Sequence, residues 1–436
     1  MTYDTLIYEM KITNIHGRWV LDSRGEPTIE VDVTLWGGAF GRASVPSGVA
    51  IGRSEASELR DNVRPFGGMG VSRALNGIEY TIKPKLVGMN ADDQERIDAV
   101  LCALDGTSDK HNLGSNAILA VSLAIAKAVA QHHSMPLYRY FAHLSGHREL
   151  SLPVPQINII SGGLHAVHSI DAQEVMIIPV GAHDVHTAVR MSSEIFQHLK
   201  HILSKNKISG GLGDEGGFSV SGIASLRRAL DFLLAAIASA GYKPGRDIAI
   251  ALDIAASQIY RDGQYHFLKE RKNLSVEELN SWYIELLESY PIVSIEDPFD
   301  QEAWNDWTAF TKKHTKLQVV ADDLITTNER RLHRALREKA ANAILIKPSH
   351  IGTLTETVHV TKLAQQHGLQ TIIASRAGDT EDATIAHLAV GLKTGQLKAG
   401  SVARGERTAK YNELLRISES LKSDLLTSVW TERASV

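Results

Sequence analysis

The chain holds one cysteine, Cys102, in 436 residues, which excludes an intramolecular disulfide and a cysteine-built zinc site. It has no basic run with interleaved aromatics, and its formal net charge is only −4, so nothing points to nucleic acid as a partner. The opening MTYDTLIYEM lacks the basic start and apolar run of a secretory signal. One Ala-rich apolar stretch, Ala117 to Ala130, is too short to cross a bilayer and carries Lys127. No short-period repeat of the solenoid kind is present. With secretion, membrane insertion and nucleic-acid binding set aside, a cytoplasmic protein is expected.

What is present is an ordinary globular composition, 43% hydrophobic and 22% charged. Its length allows two or three domains, or one large barrel with an added module. The most informative stretch is PIVSIEDP at 291–298, a β-branched apolar run that stops at Glu296, Asp297 and a proline. Such a run reads as a strand buried on both faces. The pattern recurs: IAIALD ends in Asp253, LQVVADD in Asp322 and Asp323, and AILIK in Lys347. Glu296 lies 43 residues after Asp253, and the next two intervals are 26 and 25. The two shorter intervals fit one strand–helix unit each. Side chains just past such strand ends sit on the rim where an α/β barrel carries its chemistry. Three acids and a lysine would converge there, and oxygen ligands of this kind suit a hard cation such as Mg²⁺. Strand-end salt bridges are the plainer reading of the same residues.

Near the start, ITNIHGRWVLDSRGEPTIEVDVTLWGG has two β-rich halves around a turn-like cluster, Asp22 to Gly25. Helical patterns follow, among them 115–133, which is apolar almost all round and therefore buried. Strands first and helices afterwards predict a small α+β module. A boundary falls at LPVPQ, 152–156, and beyond it strands and helices alternate. Ser275 with Glu278 and Thr353 with Glu356 have capping-box spacing, while Gly241 and Gly368 stand as helix stops. TIIAS at 371–375 and QLKAGS at 396–401 read as further strands. The expected fold is α/β: an α+β N-terminal domain over 1–148, then an α/β barrel over 149–436.

Two more acidic motifs lie upstream, AQEVM with Gln173 and Glu174, and GLGDEGGF with Asp214 and Glu215. Alone, a GDEGG loop reads as a tight surface turn. Together with DSRGEPT, SGGLHA, ALDIAAS, SIEDP, ADDL, ILIK and QLKAGS in this order, the set resembles enolase, the phosphopyruvate hydratase of glycolysis. The resemblance runs from about Lys11 to Ile417. It implies an enolase-type barrel with a ββαα start, a homodimer or higher homo-oligomer, a small phosphorylated hydroxy-acid substrate, and Mg²⁺ held by Asp253, Glu296 and Asp322. It also implies Lys347 as the base that removes the α-proton, its pKa depressed by neighbouring cations. Lys398 would hold the substrate carboxylate. Glu215 would be the acid for the leaving hydroxyl, with Glu174 as companion and His165 and Gln173 beside it. Paired carboxyls resist double ionisation, so one of the two would keep a proton.

The departures from the family pattern cluster at one end. The lid loop reads SGVAIG, and Ala50 lacks the hydroxyl with which the family binds a second Mg²⁺. After the seventh barrel strand come Ala374, Ser375, Arg376 and Ala377: the phosphate-fitting Arg376 is kept, Ser375 replaces a histidine, and Ala377 replaces a phosphate-contacting serine. A lost hydrogen bond to a charged group costs about 1.5–3 kcal/mol. The resemblance therefore implies dehydration of 2-phosphoglycerate with His350 or Ser375 compensating. The alternatives are dehydration of a related phosphorylated or phosphonate hydroxy acid, and a non-catalytic binding scaffold. Retention of Glu215, Lys347, Lys398 and all three metal carboxylates speaks against the scaffold.

Overall fold

The computed structural model describes residues 10–49, 52–166, 169–208, 210–223, 225–421, 426 and 430. The N-terminal part is an antiparallel meander of β1 (Ile12–Leu21), β2 (Pro27–Leu35) and β3 (Phe40–Ser44). Asp22 Oδ1 accepts from the backbone N–H groups of Arg24 and Glu26, which closes the β1–β2 turn. Helix α1 (Ser115–His132) lies across β2 and β3 and buries most of its surface there, as its all-round apolar sequence requires.

The second part is a closed eight-stranded barrel: β4 (Val154–Ser161), β5 (Glu174–Ile178), β6 (Ala249–Asp253), β7 (Ile292–Glu296), β8 (Gln318–Ala321), β9 (Ala343–Ile346), β10 (Gln370–Ala374) and β11 (Gly395–Lys398). Neighbours follow chain order, and β11 pairs with β4 to close the ring. All pairings are parallel except those of β5, which is antiparallel to both β4 and β6. The helices Val185–Lys205 and Leu226–Ser239 both fall between β5 and β6, so the barrel begins ββαα.

The reversal of β5 decides where its polar residues go. A strand running the other way presents its first residue at the rim where its neighbours present their last. Glu174 accordingly pairs in register with Ser161, the end of β4, and with Asp253, the end of β6. Inside the barrel, Gln396 bonds both Gln156 and Gln318, and Gln318 also bonds Ser294. The buried amides are thereby satisfied.

The Ser275–Glu278 capping box is complete. That at Thr353 is half formed: Thr353 accepts from the Glu356 N–H, but the Glu356 carboxylate turns to the Thr353 hydroxyl and to Lys110 of the N-terminal part. A stronger charged partner wins over the local N–H. Gly241 and Gly368 carry the left-handed φ of helix stops, +87° and +77°. The last barrel strand ends at Lys398 rather than continuing through QLKAGS, because Gly400 turns with φ +76°.

Candidate active site

Every strand-end residue singled out in the sequence reaches one rim. Asp253, Glu296 and Lys398 are the last residues of β6, β7 and β11, while Asp322, Lys347 and Ser375 follow β8, β9 and β10 directly. His165, Gln173, Glu174, Glu215, Asp253, Asp322, Lys347, Ser375, Arg376 and Lys398 line one cavity there. Glu296 lies beneath it, both carboxylate oxygens 2.8 Å from the Lys398 ammonium.

Barrel order fixes who faces whom. Glu174 on β5 and Lys347 after β9 are four strands apart in a ring of eight, on opposite sides. One arc between them carries Asp253, Glu296 and Asp322; the other carries Arg376 and Lys398. The cavity thus has an acidic arc and a cationic arc.

Lys398 is 5% exposed and touches Asp253 at 2.9 Å, Glu296 at 2.8 Å and Glu174 at 3.2 Å. Burial alone would lower its pKa, but Asp253, Glu174 and Glu296 hold it well above the ordinary lysine range. Lys347 sits 2.5 Å from Asp322. Burial pulls its ammonium down, and Arg376 and Lys398 add to that, yet Asp322 and Glu296 together pull the other way and its pKa is raised. The depression expected from neighbouring cations is therefore outweighed by the surrounding carboxylates, Asp322 foremost among them.

The paired acids are shifted in opposite directions, and the lowered one is Glu215, the residue assigned as the acid. Burial and the charge of Glu215 raise Glu174. Glu215 is itself pushed up by burial, but Arg407, then His165 and Lys398, bring it to about 2. The shifts favour the proton on Glu174 over Glu215. His165 Nδ1 lies 3.2 Å from Glu174.

The acidic arc fits a divalent cation. Burial and Asp253 hold Glu296 well above the carboxylate range, as expected of too many acids for the cations present. Among the described residues, Asp322 Oδ1, Gln173 Oε1 and both Glu174 oxygens are buried without a hydrogen-bond partner. Among the described residues, the groups with ligand atoms within 4.8 Å of one another are Asp297, Asp322 and Asp323, and His165, Glu174 and Glu215; the expected trio Asp253, Glu296 and Asp322 is not such a group. Asp297 braces the rim as well, its two oxygens accepting from the N–H groups of Asp322 and Asp323 and holding that turn in place.

At the phosphate-fitting end, Arg376 is buried, its Nη1 2.7 Å from Glu55 and 3.2 Å from Ser349 Oγ. The start of the lid is pinned to the loop after β10 by reciprocal Ser47–Gly378 backbone bonds. A Cβ on Gly48 would come within 2.0 Å of Arg376 Nη2, so this close approach needs glycine. Val49 and Ala377 line the cavity beside it; Ala50 lies outside the described residues. His350 is not among the lining side chains. It is 1% exposed, with Nε2 3.4 Å from Glu55 and Nδ1 3.9 Å from Asp322.

The sequence reading passed over Glu55 and Arg407. Glu55 joins the lid to Arg376 and accepts from the Gly52 N–H. Arg407 lies at the start of helix α2 (Gly405–Leu421), fully buried. The available signal was its spacing: with Tyr411 and Leu414 it falls on the helix's buried stripe, where an unpartnered charge would not be tolerated.

A barrel whose rim sets a buried lysine opposite a carboxyl pair, with carboxylates and cations on the two arcs between, defines an acid–base enzyme with provision for a cation. The descriptions "Enolase, N-terminal domain" and "Enolase, C-terminal TIM barrel domain" match residues 12–141 and 149–429. "Enolase 1" of Methanospirillum hungatei is 48% identical over 416 residues, 95% of this chain and 96% of its own. "Enolase" of Mycobacterium leprae is 48% identical over 412 residues, 94% and 95% of the two chains. "Enolase" of Mycobacteroides abscessus is 47% identical over 413 residues, 94% of each. The chain belongs to the enolase family.

Proposed function

We propose that the protein dehydrates 2-phosphoglycerate to phosphoenolpyruvate and water, a hydro-lyase reaction. The observation that carries this reading is the placement of Lys347 and the Glu174–Glu215 pair on opposite sides of one rim cavity. Lys347 takes the α-proton, and the electron pair of that C–H bond forms the new C=C bond. The β-hydroxyl leaves on the other side, protonated from the carboxyl pair, with Glu215 as the assigned donor and Glu174 and His165 supporting it. Base and acid on opposite sides make this an anti elimination. Lys398 and Gln173 hold the substrate's carboxylate and hydroxyl region; Arg376 and Ser375 face its phosphate. Asp253, Glu296 and Asp322 would hold Mg²⁺, which would supply positive charge against the carboxylate as the α-proton is lost.

Because Glu174 is held up and Glu215 down, donation by Glu215 requires a proton to pass from Glu174 to Glu215 and on to the departing β-hydroxyl, which leaves as water. Lys347, paired with Asp322 at 2.5 Å, must likewise give up that ion pair to act as a neutral base. The enzyme is expected to be a homo-oligomer.

The test is turnover of 2-phosphoglycerate followed by absorbance of the enol product, with and without Mg²⁺. Robust Mg²⁺-dependent turnover is expected; none at saturating substrate would defeat this assignment. A second expectation concerns the cation alone. Its ligands must shed protons to bind it, and Glu296 holds its proton more tightly than a free glutamic acid. The thermal stabilisation by Mg²⁺ should therefore grow from pH 5 to pH 8, reaching about 2.7 kcal/mol at a hundredfold excess over Kd. A shift that is the same at both pH values would remove Glu296 from the ligand set.

A further inference from the structure

We propose that Arg407 is a positioning residue that locks the acid-bearing loop and the phosphate-facing loop into one register. Its guanidinium is fully buried and works as a two-pronged clamp. Nη1 donates to Ser375 Oγ at 2.9 Å and to the Arg376 carbonyl at 2.8 Å. Nη2 donates to the Ala377 carbonyl at 2.7 Å and, across the gap, to the Asp214 carbonyl at 3.2 Å. Its charge lies 3.9 Å from Glu215 and 3.7 Å from Asp379. One side chain thus touches the residue before the acid, the acid itself, and three consecutive residues at the phosphate end.

The surroundings allow little adjustment. Ser401 N–H donates to the Glu215 carbonyl at 2.8 Å. Gly216, at φ +81°, leaves a Cβ position only 2.6 Å from the Ala403 carbonyl, so the acid loop presses on the segment that leads into α2. Ser375 belongs to this clamp as much as to the cavity it lines: its hydroxyl oxygen is taken by Arg407. A planar fork with donors on two nitrogens can span both loops at once, whereas an ammonium is a point charge that serves one side.

The consequence is selective. Arg407 is in contact with Glu215 but not with Lys347, so its loss should disturb departure of the hydroxyl more than removal of the α-proton. This rests on the roles assigned above to Lys347 and Glu215. Misplacement by about 1 Å can cost about 10²-fold in rate.

The experiment compares two rates in the full chain with Mg²⁺ and 2-phosphoglycerate: dehydration, and exchange of the α-proton with deuterated solvent. In Arg407→Lys, dehydration should fall by about 10²-fold and KM should rise, while exchange stays within about threefold of the unmutated rate. Ser375→Ala, which removes one acceptor and keeps the arginine, should shift the ratio in the same direction by a smaller factor. It also serves if the lysine variant fails to fold, as circular dichroism and thermal melting would reveal. Equal loss of both reactions, or loss of neither, overturns the proposal. Absence of Lys347-dependent exchange in the unmutated protein would instead overturn the base assignment, a separate failure.

Discussion

Lys347→Ala is expected to abolish turnover, lowering kcat by about 10²–10⁴-fold, the contribution of a positioned general base, and to abolish α-proton exchange with it. Lys347→Arg should be equally inactive. An arginine keeps the positive charge beside Asp322 but does not deprotonate in a protein, so the pair of variants separates a base from a mere counter-ion. That separation is needed because the lysine has the surroundings of a counter-ion. Lys347 stands 2.5 Å from Asp322, and Asp322 with Glu296 holds its pKa up against burial and the cations Arg376 and Lys398. In this arrangement it is an ammonium in an ion pair. Asp322, which would also be a ligand of a bound cation, is the carboxylate that Lys347 must lose as a partner to act as a base. Rates are read from enol absorbance and exchange from loss of the α-proton resonance in deuterated solvent. If Lys347→Arg keeps most of the exchange, another group is the base.

How far the sequence foretold the site follows from the geometry of strands. An apolar run that stops at a charged residue announces a strand end, so Asp253, Glu296, Asp322 and Lys347 were legible as a rim. Glu174 was not legible that way, because it opens its strand; only the reversal of β5 brings it to the same rim, and direction is a property of pairing rather than composition. Arg407 was hidden for a different reason. It acts mainly on backbone carbonyls, which leave no mark on the sequence of the loops they belong to. Nor could the opposite shifts of Glu174 and Glu215 be read in advance, since the arginine that contributes most to lowering Glu215 comes from a helix at the far end of the chain. Local capping shows the same limit on a small scale: Glu356 had the spacing to complete a box, but Lys110 from the N-terminal part claims its carboxylate.

Lys398→Met should unfold more easily than the unmutated protein by about 3–5 kcal/mol in the absence of divalent cations, the usual consequence of removing one partner from a buried charge cluster. Methionine keeps the length of the stem and its packing, so the deficit reports the charge. Asp253, Glu296 and Glu174 would lose the ammonium that now lies within 3.2 Å of all three. The sign of the pH dependence follows from who holds protons. Glu296 already binds its proton more tightly folded than unfolded, and Asp253, now lowered chiefly by Lys398 against the pull of burial, would rise once that ammonium is gone. Between the unfolded carboxyl pKa near about 4 and these raised values, the folded variant binds more protons than the unfolded chain, so its stability falls as pH rises. The gap between variant and unmutated protein should therefore be small at pH 5 and wide at pH 8, when both are melted without metal. Millimolar Mg²⁺ should narrow it at pH 8, because a cation on the acidic arc replaces the missing charge. A deficit that ignores both pH and Mg²⁺ would mean that Lys398 contributes packing alone, and that the acidic arc does not need a cation to stay together.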